Sequence, residues 1–340
     1  MKTVVLDLDT LEQDIKPQAM MDEYRRILAE DLRELVSSPQ NLTAVDCPGC
    51  RGSESRVAFV KSGFTYLECD ACKSVYVSPR PSAAALAEFY RGSESSRFWR
   101  ERILRQTREA RREKLIRPRA RWLLDAVDEY RPQAKLGLVV GFHNDLLVEE
   151  LTAGEKHLFK LVVTNEIADI EFADVGAPGL EVRPTPLDDV KALGPADLFL
   201  AFDILDRCAD VEAVFAAAKE ALAPGGLLLA TTTLSTGFDI QVLWDKADGV
   251  YPPERLNLLS VEGLTDVYER HGFEALEFST PGMFDVEIVK RAIDAAPEQD
   301  WPGFVRYLVQ NRGRQALDDL QEYLQQYRLS SFGRIVLRRA

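Results

Sequence analysis

Residues 196–233, ADLFLAFDILDRCADVEAVFAAAKEALAPGGLLLATTT, decide the fold class of this chain. Two apolar runs, Asp197–Phe202 and Gly226–Thr232, have the length of buried β-strands, and a helical pattern of apolar residues lies between them. A helix that connects two strands in this way normally makes them parallel and covers one face of their sheet. The stretch therefore predicts one unit of a parallel, helix-covered sheet.

The same alternation continues towards the N-terminus. Further strands are expected at Leu138–Gly141, Leu161–Thr164 and Leu180–Arg183, with helical runs between them. In a sheet of this kind, ligands bind at the carboxyl ends of the strands, where the strand order reverses. The residues that follow each predicted strand are therefore the candidates for chemistry.

Four of the five cysteines form two C-x2-C pairs, Cys47/Cys50 and Cys69/Cys72, with eighteen residues between the pairs. Each short pair can hold one metal ion from a tight turn, and four thiolates in a tetrahedron are typical of structural zinc. Two disulfides or a redox pair are the alternatives. Both fit poorly with the doubled spacing and with a cytoplasmic chain.

The composition argues against two classes of partner. A formal net charge of −13 opposes general binding to the phosphate backbone of nucleic acids. No apolar run approaches the roughly 18 residues that span a membrane. The first ten residues, MKTVVLDLDT, carry acids within their apolar stretch, unlike a secretory signal. We therefore expect a cytoplasmic protein that binds neither nucleic acid nor a membrane.

A basic segment, residues 91–121, departs from this acidic character, with twelve Arg or Lys against four Glu. One interpretation is a solvated helix face with Glu/Arg pairs. The other is a site for an anionic small-molecule substrate, or for an acidic surface within the same chain or across a homodimer. The segment is expected to lead as a helix from an N-terminal module, residues 1–90, into an α/β domain, residues 91–340. The N-terminal module would combine a helix with the four-cysteine zinc ribbon.

Several stretches resemble the class I S-adenosylmethionine-dependent methyltransferases. ADLFLAFDILDRCAD and AAAKEALAPGGLLLATTT are similar to the fourth and fifth strands of that family, and the segment from GFDIQVLW to EFSTPG is similar to the part that follows. The ribbon ahead of the domain is similar to the zinc-ribbon subgroup, which includes sugar C-methyltransferases. The resemblance implies an α/β, Rossmann-like methyltransferase fold, a doubly wound, mostly parallel seven-stranded sheet with a final antiparallel strand at 330–339.

The resemblance also implies an activity. Members of this family transfer a methyl group from S-adenosylmethionine, here to a sugar nucleotide or another small biosynthetic intermediate. The alternatives are a non-catalytic methyltransferase-like subunit that partners an intact enzyme, and a repurposed site with a different ligand. Residues 284–328 would be a helical insertion in which Trp301, Phe304, Tyr307 and Leu308 pack over the cleft.

The loop after the first strand departs from the family pattern, in which an acid two residues before the first glycine precedes G-x-G-x-G. Val139 stands at the acidic position, and Gly141 is retained. His143 and Asp145 replace the later glycines. Those glycines let the backbone approach the ligand in conformations that other residues resist. We therefore expect the loop to bind S-adenosylmethionine poorly or in a shifted pose.

The other candidate residues are assigned by their places in the family pattern. An acid or amide after the second strand would hold the ribose, and the turn after the third strand would meet the adenine. Two histidines that the family often carries are replaced here by arginines, which removes likely general bases and leaves groups for a carboxylate, a phosphate or an ion pair. The cofactor-binding candidates are Gly141, Phe142, Asn165, Glu166, Leu187, Asp188, Phe202 and Asp203, and the catalytic candidates are His143, Asp206, Arg207 and Arg255.

A Cys/His/acid nucleophilic site is a further alternative. The first and fourth strands are neighbours in this fold, so His143, Asp203 and Cys208 could converge. The simpler interpretation is that Cys208 is a small buried hydrophobic residue. In that case His143 is a polar side chain that fills an abandoned loop.

Purified protein should carry about one zinc per chain, bound by Cys47, Cys50, Cys69 and Cys72. Elemental analysis of protein purified without chelator measures this directly. A Cys69→Ser variant should lose the fold of residues 40–80 more than that of the second domain. Metal-free wild-type protein would contradict the assignment.

Overall fold

The computed structural model describes residues 12–37, 39–153, 160–164, 179–183 and 185–340. Short antiparallel strands come first in the chain, and longer, mostly parallel strands follow. The strands are β1 Leu42–Thr43, β2 Ser55–Lys61, β3 Phe64–Cys69, β4 Val75–Val77, β5 Arg80–Pro81, β6 Leu136–Val140, β7 Lys160–Thr164, β8 Leu180–Val182, β9 Ala196–Phe202, β10 Leu222–Thr233, β11 Asn257–Leu258, β12 Phe273–Ser279 and β13 Phe332–Arg339. The α-helices are α1 Glu12–Ile15, α2 Gln18–Val36, α3 Ala83–Gly92, α4 Glu94–Phe98, α5 Arg108–Arg111, α6 Arg117–Tyr130, α7 Asp145–Ala153, α8 Val211–Ala221, α9 Phe238–Leu243, α10 Val261–Arg270, α11 Asp285–Ala295, α12 Gly303–Asn311 and α13 Arg314–Gln326.

Seven strands form the central sheet, in the order β12–β13–β10–β9–β6–β7–β8. The strands from β8 to β10 pair in parallel, and β13 is antiparallel to both β10 and β12. The strand order reverses between β6 and β9, so the ligand crevice of this fold lies at the carboxyl ends of these two strands. The predicted Rossmann-like methyltransferase fold is confirmed.

Both faces of the central strands are buried, which explains why their sequences are apolar without alternation. Leu138 and Phe199 pack into the hydrophobic cluster on one face of the sheet. Val139 and Leu200, at the alternate positions, pack into the cluster on the other face. Because Val139 is fully buried in this core, the position where the family would place an acid has a packing role here.

The strand β10 begins at Leu222 rather than at Gly226, where the sequence analysis placed its start. Leu222 pairs with Ala196, and the register then shifts before regular pairing resumes at Leu227. The early start is therefore a bulged extension that carries the Pro-Gly-Gly turn.

The N-terminal helix and the ribbon share a hydrophobic cluster with the α/β part of the chain. Tyr24 of α2 and Tyr66 of β3 belong to the same cluster as Leu243 and Val289. The strand β11 pairs with β4 and thereby extends the ribbon sheet formed by β2, β3 and β4. The ribbon is therefore fixed to the segment that follows β10.

The basic segment is helical but is not one regular helix. α4, α5 and α6 are connected through π-helical turns at Trp99–Leu104 and Arg112–Ile116. Among the described residues, no helix combines the length and the apolar character needed to cross a membrane.

The chain between β12 and β13 contains the helices α11, α12 and α13. Trp301 is buried in the cluster that joins the N-terminal part to the α/β part. Phe304 is 77% exposed and Tyr307 is 50% exposed, so the expectation that these two rings pack over the cleft is wrong.

Glu212 of α8 ties the ribbon to the α/β part. Its carboxylate accepts hydrogen bonds from Arg51 of the ribbon and from Arg270, and it contacts His271 Nε2 at 2.8 Å. Arg270 also donates to the carbonyl oxygen of Gly49, at 2.8 Å. Burial alone would raise the pKa of Glu212, but the hydrogen bonds from these three partners outweigh burial and lower the pKa to about 2.

Replacing Glu212 with Gln should destabilise the protein at neutral pH and progressively less in acid. The pKa of this carboxyl is about 4.3 in an unfolded chain and about 2 in the fold. Its ionised form therefore stabilises the fold above about pH 4.3, and that contribution is lost as the pH falls towards 2. Urea denaturation should show a loss of at most about 3 kcal/mol in the free energy of unfolding at pH 7.

Glu220→Gln in the same helix is the matched control, because Glu220 forms an exposed pair with Lys191 at 3.3 Å. It should change the free energy of unfolding by less than about 1 kcal/mol. A Glu212→Gln difference that stays constant from pH 7 to about pH 3 would contradict this role of the carboxylate.

Candidate functional site

The four cysteines of the ribbon lie together. Cys47 and Cys50 precede β2, Cys69 ends β3, and Cys72 lies in the turn before β4. Their sulfur atoms are all within 4.8 Å of one another. Tetrahedral Zn²⁺ with Zn–S bonds of about 2.3 Å requires sulfur separations of about 3.8 Å, so the arrangement fits zinc. Four protein ligands would leave no open position on the metal, which corresponds to a structural site.

The loop after β6 folds tightly against the end of β9. Gly141 has a φ of +114°, and a Cβ atom there would lie 3.3 Å from the carbonyl oxygen of Phe202. Glycine is the residue that accepts both this φ and this close approach. His143 also has a positive φ, +57°, a backbone conformation that costs free energy for residues other than glycine. The loop therefore has backbone conformations that favour glycine, although a residue with a side chain occupies one of these positions.

Aromatic side chains fill the space beside this loop. The ring of Phe142 lies 4.7 Å from the ring of Tyr90, a buried residue of α3. Tyr24 and Trp99 line the same gap, whose free volume is about 10 Å³. That volume corresponds to about one water-sized probe. The described residues here therefore do not fit the methionine end of S-adenosylmethionine in the position that a glycine-rich loop provides.

The two residues that replace the later glycines both lie near cationic side chains. Burial, together with Arg207 and Arg111, lowers the pKa of His143 well below its usual value, so the imidazole is neutral at neutral pH. The carboxylate of Asp145, the first residue of α7, pairs with Arg108 at 3.0 Å. The charge of Asp145 therefore holds the basic segment against α7.

Further ion pairs join one face of the basic segment to α7. They combine side chains that are half-buried or exposed, and pairs of this kind contribute about 0–1 kcal/mol each. On this face the ion-pair interpretation of the segment is supported. The pairs are Arg108–Glu149, Arg112–Glu149, Arg112–Glu150 and Arg117–Glu150.

A cavity of about 290 Å³ lies at the carboxyl ends of β9 and β10. Asp203, which follows β9, and Thr231 and Thr233 of β10 line it. Trp99 and Trp122 contribute its aromatic lining from the helical segments that precede β6. The cavity therefore lies at the edge of the sheet where a fold of this class binds its ligand.

Asp203 is held ionised at this cavity. Its carboxylate accepts a hydrogen bond from Thr231 Oγ1 at 2.8 Å and pairs with Arg119 at 3.0 Å. Burial alone would raise its pKa, but Arg119, Arg207 and Thr231 outweigh burial and lower it to about 2. A carboxylate this acidic is a poor proton acceptor at neutral pH, so Asp203 acts as a fixed negative charge.

Three residues that the sequence analysis proposed for catalysis form two ion pairs, one buried and one partly buried. Arg207 pairs with Glu254 at 2.9 Å, and Arg255 pairs with Asp206 at 3.4 Å. Burial raises the pKa of Asp206, although Arg255 and hydrogen bonds from Thr232 and Thr233 act in the opposite direction. Removing one member of a buried pair typically costs about 3–5 kcal/mol, so these groups hold the site together whatever else they do.

The other proposed site residues lie apart from this cavity. Asn165 and Glu166 fall outside the described residues. Asp188 is exposed in a short 3-10 helix after β8, and Leu187 packs on the core. Burial raises the pKa of Cys208 to about 12, so its thiol stays protonated and a Cys/His/acid nucleophile is not supported.

Sequence reasoning missed three residues that line the cavity, Arg119, Trp122 and Arg334. The guanidinium of Arg119 covers the buried ring of Phe202 at 5.2 Å, and that of Arg334 covers the ring of Trp122 at 4.8 Å. The excess charge of the basic segment was a signal for Arg119, but π-helical turns alter which arginines share a face. Arg334 lies in an antiparallel strand, and no local pattern distinguishes it.

No protein-family model matches the chain, and no curated protein matches it. Among solved structures, the plantazolicin methyltransferase BamL, bound to a triazolic desmethylPZN analog and SAH, is 11% identical over 75% of this chain and 94% of its own, with a TM-score of 0.46. A putative sarcosine dimethylglycine methyltransferase from Galdieria sulphuraria is 14% identical over 66% of this chain and 86% of its own, with a TM-score of 0.42. The N-methyltransferase NodS from Bradyrhizobium japonicum, bound to SAH, is 13% identical over the same shares, with a TM-score of 0.39. These three proteins are methyltransferases by name, and the fold of this chain is defined by its own strand order, β12–β13–β10–β9–β6–β7–β8.

Wild-type protein should bind S-adenosylmethionine more weakly than the low-micromolar range. Each hydrogen bond that the loop no longer offers to this ligand is worth on the order of 1 kcal/mol, so the absence of two or three weakens binding about ten- to a hundredfold or more. A Phe142→Ala/His143→Gly variant should bind more tightly, because it opens the gap beside Tyr90 and relieves the positive φ. Isothermal titration calorimetry measures both affinities.

Phe304→Ala is the control for this experiment, because it removes an exposed aromatic ring far from the loop in sequence. Its affinity for S-adenosylmethionine should equal that of the wild type. Low-micromolar binding by unmodified protein would show that the aromatic side chains do not close the site.

Proposed function

We propose that this chain is a methyltransferase-like protein that binds a small organic anion in the cavity at the carboxyl ends of β9 and β10. The charge of the lining carries the proposal, because one acid, Asp203, faces seven cations. A cleft lined mostly by one sign of charge concentrates ligands of the opposite sign. The cations are Lys16, Arg111, Lys114, Arg119, Arg207, Arg255 and Arg334.

The size of the cavity limits the ligand. A volume of about 290 Å³ lies at the lower end of the range of ligand pockets, which is about 300–1,000 Å³. A small biosynthetic intermediate fits a pocket of this size better than a whole sugar nucleotide. Of the two substrate classes that the resemblance implies, we therefore favour the small intermediate.

The fold implies methyl transfer from S-adenosylmethionine as the reaction. The loop after β6 does not fit the methionine end of this donor, and the arginines of the cavity disfavour its positively charged sulfonium. The proposal therefore rests on binding of the anion and does not depend on a bound methyl donor. Arg207, Arg255 and Asp206 would maintain the shape of the anion site through their ion pairs, and Asp203 would fix the orientation of Arg119. A homodimer, or an intact methyltransferase as partner, remains an expectation.

Small organic anions should raise the melting temperature of the protein more than neutral or cationic compounds of the same size. A ligand that binds the folded state stabilises it in proportion to its occupancy, and added salt should weaken the effect on a partly exposed charged site. A thermal-shift panel of matched acids, amides and amines measures this. Amines or amides that stabilise the protein as strongly as the acids would contradict the proposed function.

A further inference from the structure

Most cations of the cavity already have a carboxylate partner within the protein. These pairs neutralise part of their charge locally, so each paired cation attracts an anionic ligand less strongly than a cation whose partners are neutral. The geometry therefore divides the cations of the cavity into those that form ion pairs with a carboxylate and those whose described partners are neutral. The compensated pairs are Arg119–Asp203, Arg207–Glu254, Arg255–Asp206 and Lys114–Asp14.

Arg111 lines the cavity and has no carboxylate at ion-pair distance among the described residues. Its Nε donates to Thr107 Oγ1 and its Nη2 donates to the carbonyl oxygen of Ile15, both at 2.9 Å. Its guanidinium lies over the ring of Trp99 at 5.6 Å. These contacts hold the side chain in place, and the partners they supply are neutral, so no described residue pairs with the positive charge of Arg111.

Arg334 lines the same cavity from β13 and is only 6% exposed. Its Nε donates to Ser279 Oγ at 3.1 Å, and its guanidinium covers the ring of Trp122 at 4.8 Å. The carboxylate of Glu277 stabilises the positive charge of Arg334 from beyond ion-pair distance. The oxygens of Glu277 accept hydrogen bonds from Trp122 and Tyr130. No carboxylate of the described chain pairs directly with Arg334.

Burial without a paired carboxylate lowers the pKa of both guanidiniums. Burial lowers the pKa of Arg111 to about 10, although Tyr251 and Asp203 act in the opposite direction. Burial also lowers the pKa of Arg334 to about 10, and Glu277 offsets only part of this effect. A buried charge without a partner destabilises a fold unless something compensates it, and residues of this kind in a cleft point to a ligand.

We propose that Arg111 and Arg334 are the anion-binding residues of the cavity, and that the ligand carries a carboxylate or phosphate oxyanion on a flat apolar body. The guanidinium supplies the planar, bidentate donors that both oxyanions accept. The ring of Trp99 lies beside the guanidinium of Arg111 and that of Trp122 beside the guanidinium of Arg334. Phe284 and Phe332 add aromatic lining for the apolar body. The inference rests on the proposed function and names the residues that select its ligand.

Benzoate and phenyl phosphate are the probes for this inference, with benzamide as the neutral compound of matched shape. Calorimetric titration of the full chain should show at least one of the two anions binding about tenfold or more tightly than benzamide. Arg111→Met and Arg334→Met should each weaken that binding about tenfold or more, because each removes a charge-assisted hydrogen bond. Which of the two anions binds more tightly separates a carboxylate site from a phosphate site.

Arg108→Met is the matched control, because Arg108 belongs to the same basic segment but pairs with Asp145 and Glu149 outside the cavity. It should leave the affinity of the probe unchanged. In unmodified protein, the bound probe should also protect Arg111 and Arg334, but not Arg108, from phenylglyoxal, as read by peptide mass spectrometry. This second measurement does not depend on whether the Met variants fold.

Two results would overturn the inference. Anion binding that survives both Met substitutions, or that leaves Arg111 and Arg334 open to phenylglyoxal, would place the anion elsewhere while the proposed function stands. Failure of both anions to bind better than benzamide would overturn the inference, and failure of the whole acid panel would overturn the proposed function itself.

Discussion

The carboxyl and carbonyl groups of Asp206 connect the sheet, the ribbon and the cavity. The carboxylate accepts hydrogen bonds from Thr232 and Thr233 at the end of β10. The carbonyl oxygen accepts from the backbone amides of Leu256 and Asn257, at 2.7 and 3.0 Å. Asn257 belongs to β11, which extends the ribbon sheet. One buried acidic residue therefore fixes the position of the chain after β9 and, through β11, the position of the ribbon sheet. A polar network whose members all have partners favours a single arrangement of the chain.

The same network explains how an acidic chain builds a basic cavity. The net charge is −13, yet the acids nearest the cavity are already committed to ion pairs. Within the described part of the chain, Arg111 and Arg334 at the lining make hydrogen bonds to neutral partners, and their guanidiniums lie over tryptophan rings. Field lines concentrate in a cleft of low dielectric constant, so these charges act on a ligand inside the cavity more strongly than distant, solvent-screened charges do.

The sequence was informative where the physical signal is local. The cysteine spacing identified the four sulfur atoms that lie together, and the apolar runs identified the strands, because both depend on neighbouring residues. The departures of the loop at His143 and Asp145 were also visible. The contact between Phe142 and Tyr90 was not, because it depends on how α3 packs on the α/β part. The ionic partners of Arg207 and Arg255 were hidden for the same reason, and periodicity could not reveal that Phe304 and Tyr307 face solvent.

The central claim is that the packing of Phe142 on Tyr90 leaves no room for a methyl donor beside Gly141, and that an anion is the ligand we propose for the neighbouring cavity. A crystal structure of the unmodified protein grown with S-adenosylmethionine tests this most directly. The account predicts that Phe142 remains on Tyr90 and that no donor is ordered along the loop after β6. An ordered donor with its methionine end beside Gly141, and Phe142 displaced from Tyr90, would contradict the account.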